Sequence, residues 1–339
     1  TQPETRIVTR ELYKSWFPQV YWDVHQQGST RERFFVPPFR DPLNPNLDAG
    51  IITGIDLLGT RTLFDMTAKG LTGISTGVSY DMWWNGGNRN VPVRHNVVGL
   101  LTEAASCNLA SPIFLPRDQL RAPRGLGGYV PSNRFPAPWP GGWWRLGDII
   151  RYELAFGESL LGSLSREPEV WRAGQLAASL RTVEEGAGEG VRGWIFPQDT
   201  PDPDAALRLV RILLDSGLEV HRTTEPFTAS GRVFPPGTLL ARRDQPYGAH
   251  LQDLMQVQRY PEGDPPYDVA GWTLPLLLGV RRVEFFEAAP DSLELVRTQV
   301  EAAGAFSGDP RLAGIPRGWM SSAHSLTWSY LAAQLKGGE

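Results

Sequence analysis

Cysteine is almost missing from this chain: its 339 residues hold one, Cys107. A single thiol forms no internal disulfide and builds no cysteine-based zinc site. Histidines number five (positions 25, 95, 221, 250 and 324), so an imidazole site draws on a short set. No apolar run approaches the ~20 residues of a membrane-spanning helix. The most apolar stretch, 272–280, is interrupted by Pro275 and Gly279. A dominant charge is lacking too. Lys and Arg total 33 against 37 Asp and Glu, a net charge of −4. A polyanionic partner such as nucleic acid therefore has no electrostatic support.

What is present fits an ordinary globular protein of about two domains, with 41% apolar and 21% charged residues. Glycine (36), proline (29) and tryptophan (12) point to many ordered, aromatic-lined loops rather than a helical bundle. The pattern predicts a helix over 1–17, a strand over 19–24 ending at His25, and a proline-rich loop over 26–46. A helix over 48–69 with Gly70 as its stop follows, then a short strand over 73–79. Residues 80–89 read as an aromatic, glycine-rich loop and 96–102 as a strand ending at Glu103. Residues 147–185 read as mainly helical, with Asp148 as a cap.

Glu184 to Gly190 is the best linker, being acidic and glycine-rich. Beyond it the pattern restarts as strand 191–196, helix 203–216 and strand 218–222, a β-α-β unit. Further strands are expected over 238–242 and 281–286, and helices over 248–258 and 322–335. The division expected is 1–186, 187–290 and a C-terminal extension over 291–339, with the chain cut at both ends.

Two acid–base residues, His25 and Glu103, are placed by this reading directly after strands. Ligands of open α/β sheets bind beyond the carboxyl ends of strands. From composition alone, a loop histidine satisfied by backbone and a salt-bridging glutamate describe the pair better.

Longer segments add to this. Asp23-Val-His25-Gln-Gln-Gly28 is followed by Arg33-Phe-Phe-Val-Pro-Pro38 and Asp41-Pro-Leu-Asn-Pro45. Then come Tyr80-Asp-Met-Trp-Trp-Asn-Gly-Gly87 and His95-Asn96 leading to Leu101-Thr-Glu-Ala-Ala-Ser106. In this order the segments resemble bacterial members of the zinc carboxypeptidase family, over roughly the first 185 residues. The resemblance implies the C-terminal part of a mixed-sheet, three-layer α/β catalytic domain of the phosphorylase/hydrolase type, incomplete at its N-terminus. It implies that His25 is the last of three zinc ligands and Glu103 the general base. Tyr80 and Arg89 would bind substrate, with Arg33 a further candidate and His95 a supporting residue. A periplasmic or extracellular location and a peptide substrate are implied as well.

The departure from the family is specific. Its first two ligands are a histidine and a glutamate three residues later. Three residues beyond the five histidines stand Gly28, Val98, Thr224, Asp253 and Thr327. His250 and Asp253 are better read as ordinary helix residues, and Cys107 as a buried, inert thiol. Zinc is thus expected in an intact protein with upstream ligands and not held tightly by this chain. The alternative is a non-catalytic peptide- or glycan-binding module on the same fold.

The second region carries Gly193-Trp-Ile-Phe-Pro197, Gly217-Leu-Glu-Val220, Gln245-Pro-Tyr247 and the 266–275 segment. These resemble class I glutamine amidotransferase-like domains, implying a smaller three-layer, flavodoxin-like α/β domain. The nucleophilic cysteine of that chemistry is absent from the region. Tyr267, Asp268 and Trp272 are candidates for exposed binding residues.

Overall fold

The computed structural model describes residues 2–263, 265–267, 271–298 and 301–302. They form two compact units. One holds Pro18–Ala178 with Arg259–Ala270; the other holds the N-terminal residues through Phe17, Ser179–Gln258 and the residues from Gly271. The division falls inside a helix rather than at the acidic, glycine-rich segment. The first 17 residues and 259–270 also group differently from a linear cut at 186. A chain that returns to its first unit after starting its second leaves no compositional mark.

Along the chain, α1 (Pro3–Arg10) runs into a π-helical turn over Glu11–Trp16. The site-bearing unit then lays down β1 (Val20–Gln27), β2 (Phe34–Phe35), α2 (Ala49–Ala68), β3 (Ile74–Ser75), α3 (Gly87–Arg94) and β4 (Val98–Ala105). The short pair β5 (Ile113–Leu115) and β6 (Gly142–Trp144) follows, then α4 (Leu146–Arg166) and α5 (Pro168–Ala187). Helix α2 starts where Asp48 accepts hydrogen bonds from the amides of Gly50 and Ile51 at 2.8 and 3.1 Å. Ile51, Ile55, Leu58, Thr62 and Met66 give it one buried stripe, and Gly70 ends it at φ 75°. Asp148 caps α4 from its third position, accepting from the Arg145 amide at 3.0 Å.

The sheet of this unit has the order β1-β4-β2-β3. β1 and β4 are parallel, β4 and β2 antiparallel, and β2 and β3 parallel, so the sheet is mixed as expected. Side chains alternate between its faces. Leu100 and Ala104 join α2 and α4 in the main core. Leu101 points the other way, into a smaller cluster with Phe35, Val78 and Tyr80. Helix α3 lies on that second face, close enough that a Cβ on Gly99 would meet the Arg89 carbonyl oxygen at 2.9 Å. The layers are therefore helix and loop, sheet, helix pair.

The other unit continues with β7 (Gly193–Phe196), α6 (Pro203–Asp215), β8 (Val220–Thr223), β9 (Phe227–Ala229), β10 (Arg232–Phe234) and β11 (Leu239–Arg242). Then come α7 (Gly248–Met255), α8 (Leu274–Leu277), β12 (Val283–Phe285) and β13 (Leu293–Val296). The sheet order is β12-β7-β11-β8-β13, and every neighbouring pair is antiparallel. This corrects the flavodoxin-like expectation of a parallel sheet. The β7-α6-β8 unit exists, but β11 inserts between its strands, because the β9–β10 hairpin returns the chain without a helical crossover. That hairpin packs on the sheet face of Ile195 and Leu240, while α6 and α7 cover the face of Trp194, Phe196 and Leu239. The expected helix over 322–335 lies outside the described residues. Among the described residues, no helix is long and apolar enough to cross a membrane.

Candidate acid–base site

The strands bearing His25 and Glu103 run past them rather than ending at them. β1 continues to Gln27 and β4 to Ala105, so both residues sit inside a parallel ladder, in register opposite each other. This corrects their placement after strand ends. The effect is to bring them closer: Nδ1 of His25 lies 3.7 Å from Oε1 of Glu103. Period-two alternation puts Asp23, His25 and Gln27 on one face of β1. Oδ2 of Asp23 lies 3.0 Å from Nε2 of His25. One half-exposed imidazole is thus flanked by two largely buried carboxylates.

Burial raises the carboxyl pKa of both Glu103 and Asp23. His25 and Arg89 oppose that rise at each, as does the nearby Tyr80 hydroxyl at Glu103. A carboxylate whose pKa is raised is a stronger base, suited to taking and returning a proton.

Tyr80 is buried, not carried on an open loop. Its hydroxyl lies 3.3 Å from the Gln27 side-chain oxygen, to which it donates. Its ring meets Phe35 edge-on at 4.9 Å and Tyr267 at 4.7 Å. Burial, then the charge of Glu103, pushes the phenol pKa far up, so it stays a donor. Arg89 stands in α3, a helix where the sequence suggested only loop. Its guanidinium lies 5.9 Å from the Tyr80 ring and 5.6 Å from the Tyr267 ring. His25, Glu103, Tyr80 and Arg89 therefore converge on one face of the sheet.

The other candidates separate from them. Arg33 is fully buried, with its guanidinium 4.7 Å from the Trp139 ring and 5.1 Å from the Trp144 ring, a core cation rather than a substrate clamp. His95 is buried at the end of α3, with Nδ1 2.7 Å from the Val91 carbonyl oxygen. Cys107 is half-exposed rather than buried, and its thiol donates to the Leu109 carbonyl at 2.7 Å. His250 and Asp253 are buried in α7, in the other unit. Trp272 also belongs to that unit, and Asp268 lies outside the described residues.

Several site residues escaped sequence reasoning. Asp23 and Gln27 were within reach, since they flank His25 at spacing two on a strand. Asp81 was not. Its buried carboxylate accepts from Nη2 of Arg40 at 2.9 Å, from the Tyr260 hydroxyl at 3.4 Å and from the Tyr267 amide at 3.2 Å. These bonds fix Tyr260 and Tyr267 at Asp81, with the Tyr267 ring against Tyr80. On the opposite face, Trp22 donates to the Thr102 hydroxyl at 2.9 Å, and that hydroxyl donates to Glu153 at 3.1 Å. A cavity of about 750 Å³ opens there between Val24 and His25 of β1 and Ile150, Leu154 and Leu161 of α4.

Among the described residues, no group of three or more His, Cys, Asp or Glu side chains could hold a metal ion. His25 offers one imidazole, and both of its nitrogens face carboxylates. Among the described residues these groups do not make up a zinc ligand set.

Compared with known proteins, the chain matches no family model, no curated protein and no solved structure. The carboxypeptidase resemblance therefore rests on its residues alone.

Proposed function

We propose that this chain carries the acid–base half of a metallocarboxypeptidase, a hydrolase of peptide C-terminal residues whose remaining metal ligands lie outside it. The observation that carries the reading is the register pairing of His25 with Glu103, with Tyr80 and Arg89 beside them. In this reading Glu103 is the general base. Its raised pKa suits it to accept a proton from water and deliver it to the leaving amine. Arg89 supplies the positive charge for a substrate's terminal carboxylate, which guanidinium binds in a planar, two-pronged way. Tyr80 and Tyr267 wall the place where the last side chain sits. His25 would offer the intact protein one ligand.

Two further features support a larger parent structure. Among the described residues β1 has no neighbour on its outer side. The apolar side chains of Val24, Ile150, Leu154 and Leu161 beside it are 49–68% exposed. An open strand edge next to such a shelf is the surface on which more of the same sheet would form.

The test is Glu103→Gln in the intact protein, with peptides carrying a free C-terminus. Turnover is expected to fall by about 10²–10⁴-fold, with peptide affinity kept. Retained turnover would remove Glu103 from the chemistry. One observation favours the second reading, a binding module without chemistry: both nitrogens of His25 are already engaged by Asp23 and Glu103. Tight peptide binding by the intact wild-type protein, with no cleavage, decides for that reading.

A further inference from the structure

The second unit contains a polar cavity of about 430 Å³, formed wholly within that unit and remote in sequence from β1 and β4. It opens where Arg192 leads into β7, beside the C-terminal ends of β11 and β12, with His221 of β8 in its wall. Its rim is small: Gly186, Ala187 and the 288–290 segment.

The polar groups inside are mostly donors. Nε of Arg192 donates to the Gly188 carbonyl at 3.2 Å, which fixes the side chain, and no other partner holds its terminal nitrogens among the described residues. Arg242 binds Asp244 through two parallel contacts, Nε to Oδ1 at 2.8 Å and Nη2 to Oδ2. That pairing neutralises Asp244 and leaves Nη1 of Arg242 over, while the other carboxylate of the lining, Asp291, is exposed. Nδ1 of His221 is buried with no partner among the described residues. A buried N–H without an acceptor is costly. The proton therefore belongs on Nε2, the nitrogen left to meet a ligand. Burial and Arg242 lower the His221 pKa, while Glu219 and Asp244 raise it less, so the ring is a neutral donor near pH 7.

We propose that this cavity is a second binding site, for a small oxyanion, a phosphate or a short carboxylate, held by Arg192, Arg242 and Nε2–H of His221. One uncompensated guanidinium, a spare N–H on a second and a neutral imidazole N–H suit oxygen acceptors bearing negative charge. A cation would meet two guanidinium groups and, beyond the paired Asp244, only the exposed Asp291 among the described lining residues. The proposal is independent of the reading of His25 and Glu103.

The experiment uses the whole chain labelled with ¹⁵N-histidine, the His221 ring signals being assigned by their loss in His221→Gln. Inorganic phosphate, succinate and sodium chloride at matched ionic strength are titrated in separately. The expected result is a saturable shift of the His221 signals with phosphate or succinate and none with chloride. Whichever of the two binds more tightly names the ligand chemistry. Arg192→Gln is expected to weaken that binding by about tenfold or more. Its unchanged histidine spectrum in the absence of anion would show an intact fold. Absence of a saturable shift with either oxyanion, an equal shift with chloride, or unchanged affinity in Arg192→Gln would each overturn the proposal.

Discussion

Glu153 holds a carboxyl group on the apolar side of the β1–β4 ladder. Oε2 accepts from Thr102, and Oε1 is buried with no partner among the described residues. Burial pushes its pKa from 4.5 up to about 7. The unfolded chain ionises this group at about 4.5, whereas the folded chain keeps it protonated until about 7. Between those values the folded state binds more protons, so stability falls as pH rises through the window and stays lower above it. The wild type is expected to lose on the order of 1–3 kcal/mol between pH 4.5 and 8 from this group, after allowance for solvent screening. Glu153→Gln should remove that part of the slope and be the more stable protein at pH 8. Urea midpoints at pH 5 and pH 8 check this; an equal slope in both proteins would mean Glu153 is ionised in the fold. Arg33 marks the opposite case. Burial lowers its pKa to about 10, still well above neutral pH, so it stays charged, with two indole faces packed against it.

At the scale of elements, the reach of Arg89 depends on how closely α3 approaches β4, and Gly99 sets that distance. A Cβ there would lie 2.9 Å from the Arg89 carbonyl oxygen and 3.0 Å from Cγ2 of Val93. The nearer neighbour is helix backbone, so relief requires moving α3. Gly99→Ala is expected to destabilise the chain by about 1–3 kcal/mol. In the intact protein it should also weaken binding of peptides with a free C-terminus while leaving amidated peptides unaffected, because the guanidinium shifts with its helix. Equal loss for both peptide types would mean that Arg89 does not meet the carboxylate. This dependence was not legible in the sequence, where Gly99 reads as one more strand residue. What was legible had local causes. Asp48 and Gly70 bracket α2, Pro203 opens α6, and the apolar run around 98–102 marks β4. The pairing of β1 with β4, which unites His25 and Glu103, is non-local; only the family-like segments pointed to it. The insertion of β11 between β7 and β8 left no sign, since four-residue strands read alike in either direction. Asp81 and Tyr267 are 186 residues apart and meet through a side chain and a backbone amide, which no local pattern encodes.

At the scale of the whole molecule, the apolar cores are separate. The cluster built on Phe34, Leu58, Leu100 and Phe156 draws only on residues before 179, and the cluster built on Trp194, Leu209 and Leu239 only on residues after 190. The boundary between the units falls inside α5, between Ala178 and Ser179. Cores that share no side chains lose stability separately unless the chain crossings between them couple them. Leu209 is fully buried in the second core, so Leu209→Ala leaves a cavity costing about 2–5 kcal/mol. His221 lies in the unit of Leu209, and His25 lies in the other. Urea unfolding followed through the ring signals of both histidines then reads the two units independently. Leu209→Ala is expected to lower the His221 midpoint and leave the His25 midpoint in place. If both midpoints fell by the same amount, the four chain crossings would be coupling the units into one cooperative block. A change at the oxyanion cavity would then be felt at the acid–base site through stability alone. Independent midpoints would instead require any influence of one site on the other to come from a ligand that distinguishes two conformations.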